Sequence, residues 1–312
     1  MHRILFRWLL GAVPVVFAVT VLTFVLTSLV PGDPGRTILG ANASPAQVRA
    51  LDAQLGLDHP LPVRYWDWLA SALHGDLGDS VTSGVPVSDQ LTSRLGVTLS
   101  LIGGAVLVAA VAGVALGVLS ALKGGLLGRV VDGISLVGLA VPNFWFGLLL
   151  MSAFAVRLPV FPVSGYVPLT DSPTQWFESL VLPVLTLGVP ATAPVAKQTR
   201  DGVLDQLGRD YVRVLRARGV PERSVVLRHV LRNAAAPIVT VLGVVVVTLF
   251  GGTVLAETLF VLPGLGGLAV TAAQTQDIPM VQGVALVFTV TVTLINLLIE
   301  VVYTMLDPKV RT

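Results

Sequence analysis

The sequence predicts an all-α membrane protein, and three observations carry that prediction: its composition, the spacing of its charges and the placement of its arginines. Of 312 residues, 54% are hydrophobic and only 12% charged, with a mean hydropathy of +0.84. That is more apolar surface than the core of a soluble domain of this length needs. The charges are gathered so that six uncharged, mostly apolar runs remain, at 8–32, 95–122, 133–156, 179–196, 233–256 and 278–299. Each can cross a hydrocarbon layer of about 30 Å, which takes roughly 20 helical residues. With the N-terminus inside, 15 of the 20 Lys and Arg residues fall on the cytoplasmic side, as the positive-inside rule requires. The expectation is six spans with both termini cytoplasmic.

Residues 1–32 form the first span. Arg3 and Arg7 resemble the charged end of a secretory signal, but the 25-residue run that follows exceeds the usual apolar stretch of about 7–15 residues, so it is expected to stay as a helix. Residues 33–94 form an external region of 62 residues with seven Asp and four Arg. Within it, the Leu, Tyr and Trp spacing of "LGLDHPLPVRYWDWLASALHG" at 55–75 suggests an amphipathic helical subdomain. Residues 95–312 carry the other five spans. Gly103, Gly104, Gly113 and Gly117 read as sites of close helix packing. A seventh uncharged run, Thr258–Gln276, contains "LPGLGG" at 262–267. Pro and Gly would leave backbone groups unsatisfied in lipid, so this run is expected to be a re-entrant or surface hairpin.

Between the fourth and fifth spans lies the cytoplasmic loop 197–233, with nine basic residues and, at 210–233, the stretch "DYVRVLRARGVPERSVVLRHVLRN". Its local grammar is helix, break, helix. Asp210 is placed to cap a first helix running to Arg218, Gly219 suits the left-handed position after it, and Pro221 suits the first turn of a second helix. Val212, Leu215 and Val220 alternate with arginines, giving apolar knobs ringed by positive charge, as a protein-docking surface needs. Arginines alone would serve topology or anionic headgroups equally well; the ordered cap, glycine, proline and knobs favour docking. Nucleic acid is a poor partner, because four acidic residues are interspersed and no aromatic platform accompanies the charge.

Other chemistry finds little support. There is no cysteine, and His2, His59, His74 and His229 are too scattered for a metal site. No P-loop pattern occurs. No charged residue falls within a predicted span, which argues against an ion-coupled secondary transporter. An intramembrane enzyme is disfavoured because Ser100 and Ser152 have no histidine at membrane depth. Asn143, Thr248, Thr253 and Asn296 are polar residues in or near spans. Each is read first as an interhelical hydrogen-bonding residue and second as a candidate lining of a pathway.

The chain resembles the binding-protein-dependent ABC importer permeases, specifically the first permease subunit of the dipeptide, oligopeptide and nickel branch. The resemblance rests on "YVRVLRARG" at 211–219 and "RHVLRNAAAP" at 228–237, and on "PGDP" at 31–34, "HGDLGDS" at 74–80, "VPNFWFGLLL" at 141–150, "ETLFVLPGLGGL" at 257–268, "QDIPMVQG" at 276–283 and "LDPKVR" at 306–311. Val214 and Leu215 depart from the small residues common there, and Gln276 from a frequent Arg. The resemblance implies six transmembrane helices of the type I importer permease kind, with an external helical insertion after helix 1 and a cytoplasmic coupling helix between helices 4 and 5. It implies a second homologous permease chain, two ABC ATPase subunits that hold ATP and Mg, and an extracytoplasmic substrate-binding protein, in the inner membrane of a bacterial cell. No cofactor is expected in this chain. The coupling handle is expected at Asp210, Tyr211, Arg213, Arg216, Ala217, Gly219, Arg223 and Arg228. Small peptides are the cargo the resemblance implies first, then nickel or another small solute.

Overall fold

The computed structural model describes residues 2–29, 43–54, 58–125 and 142–306, together with the single positions 39, 128, 130 and 133. The "PGDP" stretch, the residues of "LDPKVR" beyond 306 and positions 134–141 of the third predicted span lie outside the described residues. The described elements are helical: α1 (His2–Ser28), α2 (Pro45–Gln54), α3 (Leu61–Leu73), α4 (Val87–Lys123), α5 (Asn143–Met151), α6 (Pro173–Leu207), α7 (Asp210–Ala217), α8 (Glu222–Ser224), α9 (Leu231–Phe260), α10 (Leu265–Gln274) and α11 (Ile278–Leu306). A π-helical turn at Ser152–Arg157 extends α5, and another at Val225–Val230 joins α8 to α9 without a break.

Five of these stretches are long and apolar enough to cross a membrane: Trp8–Ser28, Val87–Lys123, Pro173–Leu207, Glu222–Phe260 and Ile278–Met305. Each overlaps one predicted run. The remaining run, 133–156, is represented among the described residues by the shorter apolar helix Asn143–Arg157. The doubtful run 258–276 is a turn followed by α10. Val261 adopts a left-handed conformation at the end of α9, and Gly264 opens the ten-residue α10.

The chain divides into two compact units, Met1–Gly96 with Gly264–Leu294, and Val97–Pro263 with Ile295–Thr312. In the first, Leu77, Val87, Leu91, Leu265, Leu268, Met280 and Val284 form a buried cluster. An acidic clasp stands beside it. Buried Asp277 accepts hydrogen bonds from Ser80 Oγ (2.5 Å), Thr82 Oγ1 (2.9 Å) and the backbone N–H groups of Val81, Thr82 and Met280 (3.2, 3.4 and 3.3 Å). The same carboxylate therefore caps the first turn of α11 and pins the loop before α4, which is the physical content of the paired "HGDLGDS" and "QDIPMVQG" stretches.

The second unit is built on α6 packed against α4, α5 and α9. Small residues set these approaches. A Cβ at Gly117 would lie 2.6 Å from the Ala196 carbonyl oxygen, and one at Gly113 2.7 Å from Val195. Gly104 abuts Val184 in the same way, whereas a Cβ at Gly103 would meet nothing within 4 Å. Gly103 is thus not a packing glycine; it lies on a different side of α4 from its neighbour, since adjacent residues are about 100° apart around a helix. A second cluster, Val97, Leu101, Leu180, Leu182, Phe260 and Leu262, closes this unit.

Candidate functional site: a basic helical hairpin

The hairpin begins later than the apolar run suggests, because α6 continues to Leu207. Arg209 stands at the N-cap of α7 in extended conformation, and no side chain caps the helix. Asp210 is the first helical residue instead of the cap, a correction of the expected start by one position. There it still favours the helix through its charge beside the unsatisfied N–H groups. It pairs with Arg213 at 3.4 Å.

The hairpin's apolar residues mostly face inward. Val212 is 0% exposed, contrary to its expected role as a surface knob. α7 packs on the π-helical turn, where Val225, Val226 and Val230 are also buried. An isolated short helix cannot hold itself together in water, and this valine-lined contact fixes α7 to the π-helical turn that leads into α9. Leu215 and Val220 are half-buried, for a reason the turn supplies. Val220 N–H donates to the Leu215 carbonyl (3.1 Å) and Gly219 N–H to that of Arg216 (2.9 Å). These are the two bonds of a Schellman motif, which brings the side chains corresponding to Leu215 and Val220 together. Gly219 has φ +76° with open space where a Cβ would stand, so glycine is required here by the backbone and not by a neighbour.

Pro221 occupies the N-cap of α8, one residue before its expected place in the first turn. Across the glycine joint, Arg216 and Glu222 form a two-pronged ion pair at 2.6 and 3.0 Å. The hydrogen bonds that the Arg216 guanidinium donates to Glu222 hold it above its ordinary pKa. With side chains 46% and 53% exposed, such a pair contributes about 0–1 kcal/mol. Tyr211 is half-buried and its hydroxyl donates to Gln206 of α6 (3.1 Å). Arg213, Ala217, Arg223 and Arg228 are exposed. The apolar groups that accompany them at the surface are Val214 (49% exposed) and Leu227 (52%), which sequence spacing missed. Both follow from burial of Val212 and Val225: on a helix, the residue two places on points to another side.

The four polar span residues separate. Thr253 is buried and bonds the Phe250 carbonyl of its own helix (2.9 Å). Asn143 opens α5 and faces Gly252, its amide nitrogen 3.8 Å from the place of a Cβ there. Thr248 and Asn296 share a groove of about 450 Å³ with Gly243, Glu300 and Tyr303. The predicted runs themselves are free of charge, but the helices that contain them reach further and carry carboxylates beyond the runs, among them Glu257 and Glu300. Glu257, 1% exposed, accepts a 2.7 Å hydrogen bond from Thr98 near the end of α9, and Glu300 lies in α11. α6 and α9 overrun their apolar runs at both ends, α4 at its start and α11 at its end, so runs defined by absence of charge end too early there. Among the described residues no cluster of His, Cys, Asp and Glu could hold a metal ion.

A family model described as binding-protein-dependent transport system inner membrane component matches residues 113–312, and the N-terminal model of the same systems matches residues 1–102. The chain belongs to this family. A protein of Brucella abortus (strain 2308), named by inference a peptide transport system permease protein, is 39% identical over 312 residues, covering 100% of this chain and 99% of the relative. The glutathione transport system permease protein GsiC of Escherichia coli O6:H1 is 38% identical over 304 residues, 97% of each chain. A chain of the inward-facing MetNI methionine ABC transporter shares the fold, with a TM-score of 0.54 at 18% identity, over 70% of this chain and 96% of that one. The protein is therefore a multi-pass inner-membrane permease subunit of an ABC importer.

Proposed function

We propose that this chain is one half of the translocation pathway for small peptides delivered by an extracytoplasmic binding protein, and that the hairpin at 197–233 is the handle by which an ATPase subunit moves it. The observation that supports this most directly is the construction of the hairpin. A topology signal needs only arginines, yet here buried valines, a Schellman turn and an ion pair across the joint fix two short helices in one arrangement. A fixed element can pass a rigid-body movement of a partner to the helices it continues into, and the π-turn feeds into α9 without a break.

On this reading Arg213, Arg216, Ala217, Gly219, Arg223 and Arg228, with Asp210 and Tyr211 behind them, present or support the docking face, and Val214 and Leu227 supply its apolar contacts. ATP and Mg bind two separate ATPase subunits, a second homologous permease completes the pathway, and no cofactor resides in this chain. Six spans, counting the one that includes 133–156, leave both termini cytoplasmic and residues 33–94 outside as an insertion, with 95–312 as the permease core. The names of relatives support peptide cargo; nickel or another small solute on the same architecture is the second reading. Thr248 and Asn296 are the better candidates for the pathway, since they share a groove, whereas Thr253 and Asn143 serve packing.

The test uses the absence of native cysteine. Single cysteines at 214 and 227 should cross-link to a co-purifying ATPase subunit, while position 58 should react with a membrane-impermeant thiol reagent in intact cells and position 218 should not. Labelling at 218 but not 58 would reverse the topology. Uptake by the purified chain driven by an ion gradient, without any ATPase, would favour a secondary transporter instead.

A further inference from the structure

We propose that α3, in the region expected to be an external subdomain, is an interfacial helix whose apolar side is sunk into the outer leaflet of the bilayer. The inference depends on α1 being a membrane span, but not on any role of the cytoplasmic hairpin.

Three sides of α3 differ. At about 100° per residue, Tyr65, Trp68 and Ala72 fall on one side; Tyr65 is buried and the other two are half-buried. This side packs on α1: the Tyr65 ring meets Phe17 and Phe24 edge-on, at 6.0 and 5.4 Å between centroids, and its hydroxyl is 2.9 Å from Thr20 Oγ1. A second side carries Pro62, Trp66, Leu69, Ala70 and Leu73. Trp66 is 58% and Leu73 79% exposed. The third carries Arg64, Asp67 and Ser71, which line a pocket of about 460 Å³ together with Asp76 and Asp79 and the apolar Phe24 and Leu77.

The contacts with α1 orient these sides along the span. Trp66, of the exposed apolar side, packs with Phe17 at 6.2 Å, whereas Arg64, of the polar side, lies over Phe24 at 6.0 Å. With a rise of about 1.5 Å per residue, Phe17 is about 10 Å further from the outer end of α1 than Phe24, and about 16 Å from Ser28. The apolar side therefore points toward the middle of the layer that α1 crosses and the polar side toward water. On the side of α1 that carries Phe17, the exposed residues nearer the N-terminal end are Leu10 and Val13, so the uncovered surface of α3 continues the surface that α1 offers to lipid. A helix with an apolar face, a charged opposite face and an aromatic residue at the boundary is the form that lies in the interface plane. The water-filled alternative would leave Trp66, Leu69 and Leu73 hydrated beside a bilayer, forgoing about 1.5–3 kcal/mol for each large side chain buried.

The experiment is a nitroxide scan of single cysteines at 64, 66, 67, 69, 71 and 73. It uses the chain reconstituted in phospholipid vesicles with the subunits that co-purify with it, comparing collision with oxygen, which partitions into lipid, and with a water-soluble nickel chelate. Oxygen should exceed nickel at 66, 69 and 73, and the order should reverse at 64, 67 and 71. Positions 69 and 73 carry the pattern even if replacing Trp66 unseats the helix. Nickel dominance at 66, 69 and 73 would overturn the proposal in favour of a water-exposed face. Poor access of both probes there would overturn it in favour of a covering protein. Positions 22 and 26 of α1 separate the causes: water-like values there as well would remove the span on which the proposal rests.

Discussion

The basic hairpin and the Asp277 clasp each use a carboxylate to hold a turn, and they do so in opposite surroundings. Glu222 meets one arginine at a surface where both side chains are about half exposed. Asp277, 1% exposed, gathers five donors from Ser80, Val81, Thr82 and Met280. In the hairpin, water competes for both partners and shape is left to the backbone and the valines. In the clasp the carboxylate is buried, so water competes little for it and the carboxylate itself fixes the loop to α11. Charges on the hairpin are thus free to meet a partner, whereas the charge in the clasp is committed to the fold.

Removing the buried charge should give the largest effect. Asp277→Ala would strand two hydroxyls and several N–H groups, each lost partner costing about 1–3 kcal/mol if buried. The amount of intact chain recovered from membranes should fall sharply, and Asp277→Asn, which keeps one acceptor oxygen, should fall less. Equal recovery for both and for the parent would show that the clasp does not hold the loop. Next comes Val212→Ala, which removes most of a buried side chain for which full burial is worth about 1.5–3 kcal/mol. Proteolysis of the hairpin in the reconstituted complex should become faster while the helices still insert. Unchanged protection would place the hairpin's rigidity elsewhere. Arg216→Ala should be the mildest, with a loss of about 0–1 kcal/mol and modest loss of uptake that Arg216→Lys restores in part. A loss as large as that of Asp277→Ala would mean that this exposed pair is covered by a partner.

How much of this was legible in sequence follows from the same contrast. Gly219 could be read because a left-handed joint selects glycine by itself, with no help from distant residues. The long helices could be read because lipid demands continuous apolar runs. The burial of Val212 could not be read, since it depends on the π-turn at Val225–Val230 folding back beneath α7. Asp277 and Ser80 are 197 positions apart, and nothing in either stretch alone names the other. The helix ends beyond Glu257 and Glu300 could not be read, because runs defined by lack of charge stop where a carboxylate begins, although the helices continue.

The central claim is that the hairpin works as a rigid handle, and Gly219 tests it most directly because a side chain there meets no neighbour. Within this chain any effect must come through the backbone, and Asn controls for a side chain that meets the partner. The measurement is ATP-driven uptake by the reconstituted complex, together with binding-protein-stimulated ATP hydrolysis and the ATPase subunit retained on purification, for Gly219→Val against Gly219→Asn. Asn tolerates the left-handed region, while a β-branched residue resists it by about 1–2 kcal/mol or more. Val should therefore abolish most uptake and coupled hydrolysis with the chain still inserted, and Asn should keep most of both. Full coupled hydrolysis and uptake in Gly219→Val would contradict the account and leave the arginines as a topology signal alone.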